Sequence, residues 1–365
     1  MMDFIMIRQS IGLLTLTIGI VHAQPGAEQL RWRNIHDTAW EGQGWTETKH
    51  PFDRLPARAE GVVRAAVWNL QKDSAGMAGR FISNAKSFRI RWTLRKERLA
   101  LPHMPATGVS GVDVYVKDNG RWHWLAAGRP EKFPGNEMTV SGLDGATRQY
   151  MVYLPLYNGV ESLEIGLPED ASYAAGPARA PGAKPIVFYG TSILHGGCAS
   201  RPGMAYPSIA GRLLDWPIIN LGFSGNGKTE PEVSELLASL DPAVYVLDSL
   251  PNLSATETAA LVPPFYRKLR EAHPATPIVL VENVIYTQAE FVADRKKSYT
   301  AKNAALRAFY EKLRTAGEQN VYYVRAEELL GADGEDTVDG THPTDLGFMR
   351  MGHSMARVLT PLLAR

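Results

Sequence analysis

Apolar and polar residues alternate along much of the first half of the chain. Positions 88–94 carry phenylalanine, isoleucine, tryptophan and leucine at every second place, and positions 112–116 carry three valines in the same way. A period of two is typical of a strand with one buried face. Similar short segments follow at 151–154 and 163–167. Short strands without a long helix predict that residues 24–180 form a β-sandwich of jelly-roll type.

One part of this half predicts a hairpin. The sequence Asp118-Asn119-Gly120 is a turn signal that stands between the valine strand and the tryptophans at 122 and 124. Trp122 and Trp124 have the same parity, so both are expected on one buried face of the sheet. The alternative is an exposed platform on which a sugar ring stacks.

The pattern changes after an Ala/Gly/Pro-rich segment at 174–184, which we interpret as a linker. Short, wholly apolar runs then alternate with amphipathic helical patterns. The expected strands are 185–189, 218–221, 243–247, 277–281 and 321–324, and the expected helices are one from Pro231, 254–273, 298–317 and 344–363. Buried strands alternating with helices predict a parallel sheet covered on both faces. Residues 181–365 are therefore expected to form a three-layer α/β/α domain.

The N-terminus has the features of a secretory signal peptide. Arg8 precedes an apolar run at 11–21, and Val21-His22-Ala23 offers small residues at the −3 and −1 positions of a cleavage site. We expect residues 1–23 to be removed and the mature protein to be secreted or periplasmic. The alternative is an uncleaved anchor, and no span is expected in the mature chain.

Charge and cysteine content exclude several classes of function. The 39 Lys and Arg residues balance 38 Asp and Glu residues, for a net charge of +1. A nucleic-acid partner is not expected, because such proteins carry a basic excess. One cysteine allows neither an intramolecular disulfide nor a cysteine-based zinc site. The histidines lack the spacing of metal ligands, so neither a metal nor a cofactor is expected.

Five polar or glycine residues follow strands of the predicted parallel sheet or precede its last helix. Ser192, Gly225 and Asn252 come after the first three strands, and Asp339 and His342 come before the last helix. Ligands bind at the carboxyl ends of such strands. A serine needs a base, His342, and an imidazole needs a carboxylate, Asp339. The N–H groups of Ser192 and Gly225 and the Asn252 amide could form an oxyanion hole.

Each residue also has an ordinary structural interpretation. A serine after a strand often caps a helix, and Asp339 to His342 could be only a turn. The order of all five residues together favours catalysis. His195 and Arg201 are further candidates for substrate binding, against a helix-surface or loop position for the first and an ion pair for the second. Cys198 is more simply a small buried residue than a nucleophile.

These residues resemble the four consensus blocks of the SGNH (GDSL-type) esterases. The runs 189–204 and 220–227 resemble a bacterial branch whose N-terminal β domain carries a Gly-x-Asp-Leu-Tyr signature, and Gly111-Val-Asp-Val-Tyr115 is close to it. Two departures stand out. Gly190-Thr-Ser192 replaces Gly-Asp-Ser, and Leu250-Pro-Asn-Leu253 replaces Gly-x-Asn-Asp. The resemblance implies a Ser192–His342–Asp339 triad in an SGNH hydrolase domain.

The expected function is therefore an exported serine esterase. The resemblance implies a short acyl group, acetyl above all, on a carbohydrate. The partner would be a small-molecule or oligosaccharide or polysaccharide ester. The alternatives are an acyltransferase with the same triad and a noncatalytic glycan-binding protein. A phosphate-loop nucleotide binder is a third, because Gly222 to Thr229 fits the string Gly-x-x-x-x-Gly-Lys-Thr.

Overall fold

The structure, a computed structural model, describes residues 29–179 and 183–363. The predicted signal peptide lies outside these ranges. The first half contains antiparallel strands and two short helices, α1 and α2. Their bounds are β1 Leu30–Asn34, β2 Ala39–Glu41, β3 Ala78–Ser83, β4 Ser87–Leu94, β5 Asp113–Asp118, β6 Arg121–Ala127, β7 Gly135–Ser141, β8 Arg148–Tyr153, β9 Val160–Pro168, β10 Ala174–Ala175, α1 Ala65–Leu70 and α2 Ala106–Val109.

These strands form two sheets that pack face to face. One sheet has the order β1-β9-β4-β7, and the other has the order β10-β3-β8-β5-β6, with β2 also paired to β3. Phe88 and Ile90 of the first sheet share a buried cluster with Val114 and Val152 of the second. The predicted β-sandwich is confirmed. The strand β10 lies in the segment predicted as linker, where it pairs with β3.

The second half contains a parallel sheet and six helices within the described residues. Their bounds are β11 Ile186–Gly190, β12 Ile218–Gly222, β13 Val244–Asp248, β14 Ile278–Val281, β15 Val321–Val324, α3 Ser192–His195, α4 Tyr206–Leu214, α5 Pro231–Ala238, α6 Ala255–Ala272, α7 Ala293–Thr315 and α8 Asp345–Leu363. The strand order is β12-β11-β13-β14-β15, and every pairing is parallel. All side chains of the three strands β11, β12 and β13 are buried.

Alternate residues of β11 separate into two cores, one on each face. Ile186 and Phe188 pack in a cluster with residues of α4 and α8. Val187 and Tyr189 pack in another cluster with residues of α5, α6 and α7. The predicted three-layer arrangement is confirmed. Within the described residues, no helix is both long enough and apolar enough to cross a membrane.

The helix ends follow the sequence signals in two cases and depart from them in a third. Ser254 and Glu257 form the capping box that starts α6, and Pro231 stands at the first turn of α5. Helix α7 begins at Ala293, five residues before the predicted start at position 298. Its first turn is Ala-Asp-Arg-Lys-Lys, which has no apolar periodicity to mark it.

Much of the segment 42–76, which was expected to belong to the β-sandwich, packs on the parallel sheet, while its Phe52 lies in the sandwich core. Trp45, Leu55 and Val67 lie in the same buried cluster as Ile219 and Leu221 of β12. The segment contains no strand, and its helices are the short α1 and a 3-10 turn at Ala57–Ala59. Its apolar residues lack a regular period, so the sequence does not predict which sheet they pack on.

Arg54 joins this segment to the edge strand β12. Its buried guanidinium donates Nη1 hydrogen bonds to the carbonyls of Asn220 and Gly222, at 3.1 and 2.8 Å. It also donates to the carbonyls of Leu70 and Asp73, at 2.7 and 2.8 Å. Burial lowers the pKa of Arg54 to about 10, and the nearby Asp73 opposes that shift. A sheet edge that would otherwise carry unpaired carbonyls is thus covered.

Candidate active site

Ser192, His342 and Asp339 meet at the carboxyl end of the parallel sheet. Ser192 Oγ lies 2.8 Å from His342 Nε2, and His342 Nδ1 lies 2.7 Å from Asp339 Oδ2. We assign the Nδ1 proton to the side facing Asp339, which leaves Nε2 as an acceptor for the serine proton. This linear arrangement is the geometry by which a histidine activates a serine hydroxyl.

Asp339 is held in its ionised form by hydrogen bonds from its own turn. Burial by itself raises the pKa of Asp339, but hydrogen bonds from the backbone and ring of His342 and from the Thr341 N–H outweigh it. The net shift of the pKa is downward. Asp339 Oδ1 accepts from the N–H groups of His342 at 2.8 Å and Thr341 at 3.0 Å. A three-residue spacing thus places the carboxylate under the imidazole it orients.

The turn before α3 presents Ser192 at the site. Ser192 is the first residue of α3, and the Thr191 hydroxyl accepts a hydrogen bond from the Ile193 N–H at 3.3 Å. Gly196 ends the helix with φ +103°, a left-handed conformation that favours glycine. The Thr191 side chain that replaces the usual aspartate therefore serves as the helix N-cap. The N–H of a first helical residue has no partner within its own helix, so that of Ser192 is free to bind an oxyanion.

Gly225 and Asn252 lie in adjoining loops after β12 and β13. Gly225 has φ +67°, and a side chain there would meet no atom within 4 Å. The glycine therefore meets a backbone requirement and leaves open space beside it. The loop around it is closed by the Asn226 and Gly227 N–H groups, which both donate to Phe223 O at 2.8 Å.

The Asn252 amide is oriented by the same loop. In one orientation its Nδ2 donates to the carbonyls of Phe223 and Gly227 at 3.5 and 3.3 Å. In the reverse orientation its oxygen accepts from the N–H groups of Asn226 and Gly227 at 3.1 and 3.2 Å. We assign the second orientation, because its contacts are shorter and it gives the oxygen two donors. The NH₂ group then lies on the opposite side of the amide from these two N–H groups.

The structure places His195 behind the nucleophile. The His195 side chain is fully buried and stacks on Tyr157, with ring centroids 4.2 Å apart. Burial, with the nearby cations Arg54 and Lys96, holds its pKa well below the usual value. A neutral, buried ring of this kind packs the helix that carries Ser192 and has no exposed surface for a substrate.

Arg201 is engaged by the sandwich. Its Nη1 donates to Asp113 Oδ2 at 2.8 Å and to the Tyr115 hydroxyl at 2.5 Å. Asp113 Oδ2 also accepts from the Gly203 N–H at 2.8 Å. Asp113 and Tyr115 are the acidic and aromatic positions of the Gly-x-Asp-x-Tyr sequence. That signature therefore anchors the segment that follows the nucleophile helix to the N-terminal domain.

Two residues of the N-terminal half lie at the site, although the sequence pattern did not single them out. The Tyr157 hydroxyl donates to the Ser192 carbonyl at 3.3 Å. The exposed His103 ring lies 6.0 Å from the His342 ring, centroid to centroid. His103 sits on the short turn 101–104, near α2, whose Thr107 hydroxyl donates to Ser200 O at 2.6 Å. No motif marks either residue, because their roles depend on how the two halves pack.

Three other expectations concern residues near the site. Cys198 is buried, and burial raises the pKa of its thiol to about 12, which disfavours a thiolate nucleophile.

In the Gly222–Thr229 string, Gly222 belongs to β12 and the next helix starts only at Pro231. A phosphate loop instead leads its lysine and threonine directly into a helix. Among the described residues, no three His, Cys, Asp or Glu side chains are grouped to hold a metal ion.

The prediction of one buried face for Trp122 and Trp124 is wrong. Trp122 is half-buried and donates to Asp215 Oδ1 at 3.2 Å, whereas Trp124 is 52% exposed. Their partners on β5 are Lys117 and Tyr115, so the two tryptophans do share a face of the sheet, but that face is not buried along β6. In addition, β6 is an edge strand, so simple alternation does not decide which residues are covered.

Comparisons with known proteins assign a family to each half of the chain. The profile of the GDSL-like lipase/acylhydrolase family matches residues 183–360. The profile of the GxDLY domain, the N-terminus of the SGNH-hydro-type esterases, matches residues 30–173. No curated protein sequence matches the chain.

Solved structures extend the similarity across both domains. A Bacteroides ovatus protein described as a GDSL-like lipase is 34% identical, with TM-score 0.85 over 92% of this chain and 98% of that one. A salicylyl-acyltransferase of a tetracycline biosynthetic pathway is 20% identical, with TM-score 0.73 over 91% and 97%. An acetyl xylan esterase of Butyrivibrio proteoclasticus is 11% identical, with TM-score 0.57 over 92% and 100%.

At their low identities, the last two structures share the fold with this chain. The Bacteroides protein is similar enough over its whole length to show that the two proteins belong to one family. The chain belongs to the GDSL-like lipase/acylhydrolase family of SGNH esterases, with the N-terminal domain of the GxDLY type, and is an esterase.

Proposed function

We propose that this esterase uses Ser192 as its nucleophile, His342 as its general base and acid, and Asp339 to orient the imidazole. The observation that carries the proposal is the pair of short contacts, 2.8 Å from Ser192 Oγ to His342 Nε2 and 2.7 Å from His342 Nδ1 to Asp339. Contacts of this length are within reach for proton transfer between the groups.

The reaction would proceed in two halves. As Ser192 Oγ bonds to the ester carbonyl carbon, its proton passes to His342 Nε2. The imidazolium then protonates the leaving alkoxide as the ester C–O bond breaks, which leaves an acyl-serine. A water molecule next gives its proton to His342 and attacks the acyl carbon. Return of that proton to Ser192 Oγ releases the carboxylic acid and restores the enzyme.

The oxyanion of each tetrahedral intermediate would be held by the N–H groups of Ser192 and Gly225 and the NH₂ of Asn252. The supporting observations are the position of Ser192 at a helix start, the open space beside Gly225, and the two donors that fix the Asn252 oxygen. Donors fixed before the reaction need no reorganisation when the charge develops, which is why they lower the barrier.

The proposed substrate is a short acyl ester, acetyl above all, carried by a carbohydrate. The acetyl xylan esterase of similar fold supports this choice. The exposure of the triad supports it as well, because the side chains of His342 and Asp339 are 24% and 43% exposed. A site this close to the surface admits a bulky polymer. The signal-peptide features of residues 1–23 support export to where such polymers are found.

The test is acetate release from p-nitrophenyl acetate and from acetylated xylan. It would compare the protein with its Ser192→Ala variant, and with Ser208→Ala as a control at another buried serine. The proposal predicts activity on both substrates that Ser192→Ala abolishes and Ser208→Ala retains. Hydrolysis that survives in Ser192→Ala would contradict the assigned nucleophile. A protein that hydrolyses neither substrate but transfers acetyl to an added alcohol would be an acyltransferase instead.

A further inference from the structure

A groove lies on the open side of the sandwich, away from the catalytic triad. It runs between β6 and β7, which are the edge strands of the two sheets. The cavity has a volume of about 630 Å³ and is open to solvent along its length. Its size is that of a binding cleft for a small organic molecule or a few linked rings. Neither the triad nor the oxyanion donors contribute to its walls.

Trp124 is the one aromatic residue among those that line the groove. This side chain is 52% exposed, although tryptophan is normally a largely buried residue. Its Nε1–H donates to the buried carboxylate of Asp113 at 3.0 Å. The guanidinium carbon of Arg201 lies 5.2 Å from the ring centroid. The ring is therefore held in place, and because its N–H is already used and Arg201 lies over one face, what it can offer a ligand is its other, apolar face.

The other walls combine apolar residues, among them Leu125 and Met138, with charged side chains whose charges balance. Arg129 and Lys132 contribute two positive charges, and Glu131 and Glu137 contribute two negative ones. All four side chains are exposed. Polyanions such as nucleic acids need a basic excess, which this groove lacks. A lipid chain needs a continuous apolar lining, and here four exposed charged side chains interrupt the apolar residues.

One wall of the groove is preorganised. The buried side chain of Asn136 accepts from the Glu131 N–H at 3.0 Å and donates to Lys132 O at 2.8 Å. These bonds hold the loop that carries Glu131 and Lys132 against β7. A ligand would therefore not have to order the loop on binding, which saves conformational entropy.

A fixed aromatic face beside charged groups of zero net charge suits one class of ligand. A neutral sugar ring has an apolar C–H face that stacks on an indole and hydroxyl groups that bond to carboxylate and guanidinium edges. We propose that this groove binds a neutral oligosaccharide chain, with Trp124 as the stacking platform. The groove is thus a second glycan site, separate from the one at the nucleophile.

The groove is also linked to the catalytic domain. The Asp113 carboxylate accepts from Trp124 through one oxygen and from Arg201 and Gly203 through the other. In the same segment, the Ser200 N–H donates to Asp345 Oδ1 at 2.9 Å, three residues beyond His342. A polymer held on Trp124 is therefore bound next to the segment that leaves the nucleophile helix. We take the bound glycan to be part of the polymer that carries the scissile ester, and this step rests on the proposed function.

The test is calorimetric titration of the full-length Ser192→Ala protein with xylohexaose and with cellohexaose. In this background no ester chemistry contributes. Trp124→Ala is expected to weaken binding about five- to tenfold, the loss typical of an aromatic contact, and Trp124→Phe to recover most of it. Phe291→Ala is the matched control, because Phe291 is an exposed aromatic residue, 86% exposed, outside the groove. It is expected to bind like the parent.

A second variant separates loss of binding from loss of structure. Arg129→Ala changes an exposed groove residue that has no contact with Asp113, and it is expected to weaken binding as well. Equal affinity in Trp124→Ala, Arg129→Ala and the parent would show that the sugar binds elsewhere and would overturn the proposal. Failure of both hexasaccharides to bind the parent would also overturn it. The esterase assay on p-nitrophenyl acetate is read separately, so its failure leaves the binding result intact.

Discussion

The carboxylate of Asp113 accepts a hydrogen bond from Arg201 at 2.8 Å, which joins the N-terminal sandwich to the catalytic domain. Asp113 is fully buried and Arg201 follows the nucleophile helix by six residues. Burial raises the pKa of Asp113, and Arg201 opposes that rise. The Gly-x-Asp-x-Tyr signature thus has a physical role in this chain, which is to hold the segment 198–204 in place.

Replacing Asp113 with asparagine should destabilise the protein by about 2–3 kcal/mol. The amide cannot accept from donors on both sides, so either Trp124 or the Arg201 and Gly203 pair loses a partner in a buried place. Urea unfolding measures the change. Asp118→Asn, on the same strand but half-exposed at the hairpin, where the carboxylate pairs with Arg148, is the control. Equal stability of Asp113→Asn and the parent would contradict the proposed anchor.

Arg54→Lys should lower the free energy of unfolding by about 3 kcal/mol or more. A lysine has one donor group and cannot satisfy the four carbonyls that Arg54 reaches, and an unpaired buried carbonyl costs about 1–3 kcal/mol. Chemical denaturation would be compared with Arg58→Lys, at an exposed arginine nearby. If both variants unfold at the same denaturant concentration as the parent, Arg54 does not support the edge of β12.

The pH dependence of stability should carry a contribution from Asp248. Burial raises the pKa of Asp248 to about 7, although a hydrogen bond from the Tyr206 hydroxyl opposes the rise. In the unfolded chain the carboxyl ionises near its usual pKa of 3.8. Between these values the folded protein holds a proton that the unfolded chain has lost. The free energy of unfolding should therefore fall as the pH rises from about 4 to about 7, and level off above that.

Asp248→Asn should remove this contribution. We expect the parent to lose more stability between pH 5 and pH 8 than Asp248→Asn does, in urea unfolding at both values. Asp241→Asn, at an exposed aspartate, should keep the pH dependence of the parent. A steeper loss in Asp248→Asn than in the parent would mean that the carboxyl is ionised throughout this range.

The two oxyanion residues should respond differently to alanine. Asn252→Ala removes a proposed donor and should lower kcat by about 10²–10³ with little change in KM. Gly225→Ala keeps its N–H and has room for a methyl group, so its main effect should be about 1–2 kcal/mol of backbone strain at φ +67°. Steady-state kinetics and unfolding of both variants test this contrast. An Asn252→Ala enzyme with parental kcat would contradict the assignment.

The sequence predicted the parts of the fold whose signals are local. The strands of the parallel sheet are short, wholly apolar runs, and the capping box at Ser254 marks α6. The placement of residues 42–76 could not be predicted, because irregular apolar positions find their partners only in the assembled molecule. The exposure of Trp124 was not predicted, because alternation gives the face on which a residue lies but not whether another element covers that face at an edge strand.

The candidate site shows the same division. The order of serine, glycine, asparagine, aspartate and histidine along the chain predicted that Ser192, Asp339 and His342 would meet, since topology brings such positions to one edge of the sheet. The contacts between the two domains could not be predicted from the sequence. Neither the stacking of Tyr157 on His195 nor the approach of His103 to His342 has any signal in the chain, because each pair joins distant segments.

The most direct test of the central claim is covalent labelling of the nucleophile. Diethyl p-nitrophenyl phosphate transfers its phosphoryl group to an activated serine and releases p-nitrophenolate. Intact-mass measurement and peptide mapping should find one diethylphosphoryl group on Ser192. That label should be absent from Ser192→Ala and formed far more slowly in His342→Ala. A label on another residue, or an unlabelled protein that still hydrolyses p-nitrophenyl acetate, would contradict the assignment of Ser192 as the nucleophile.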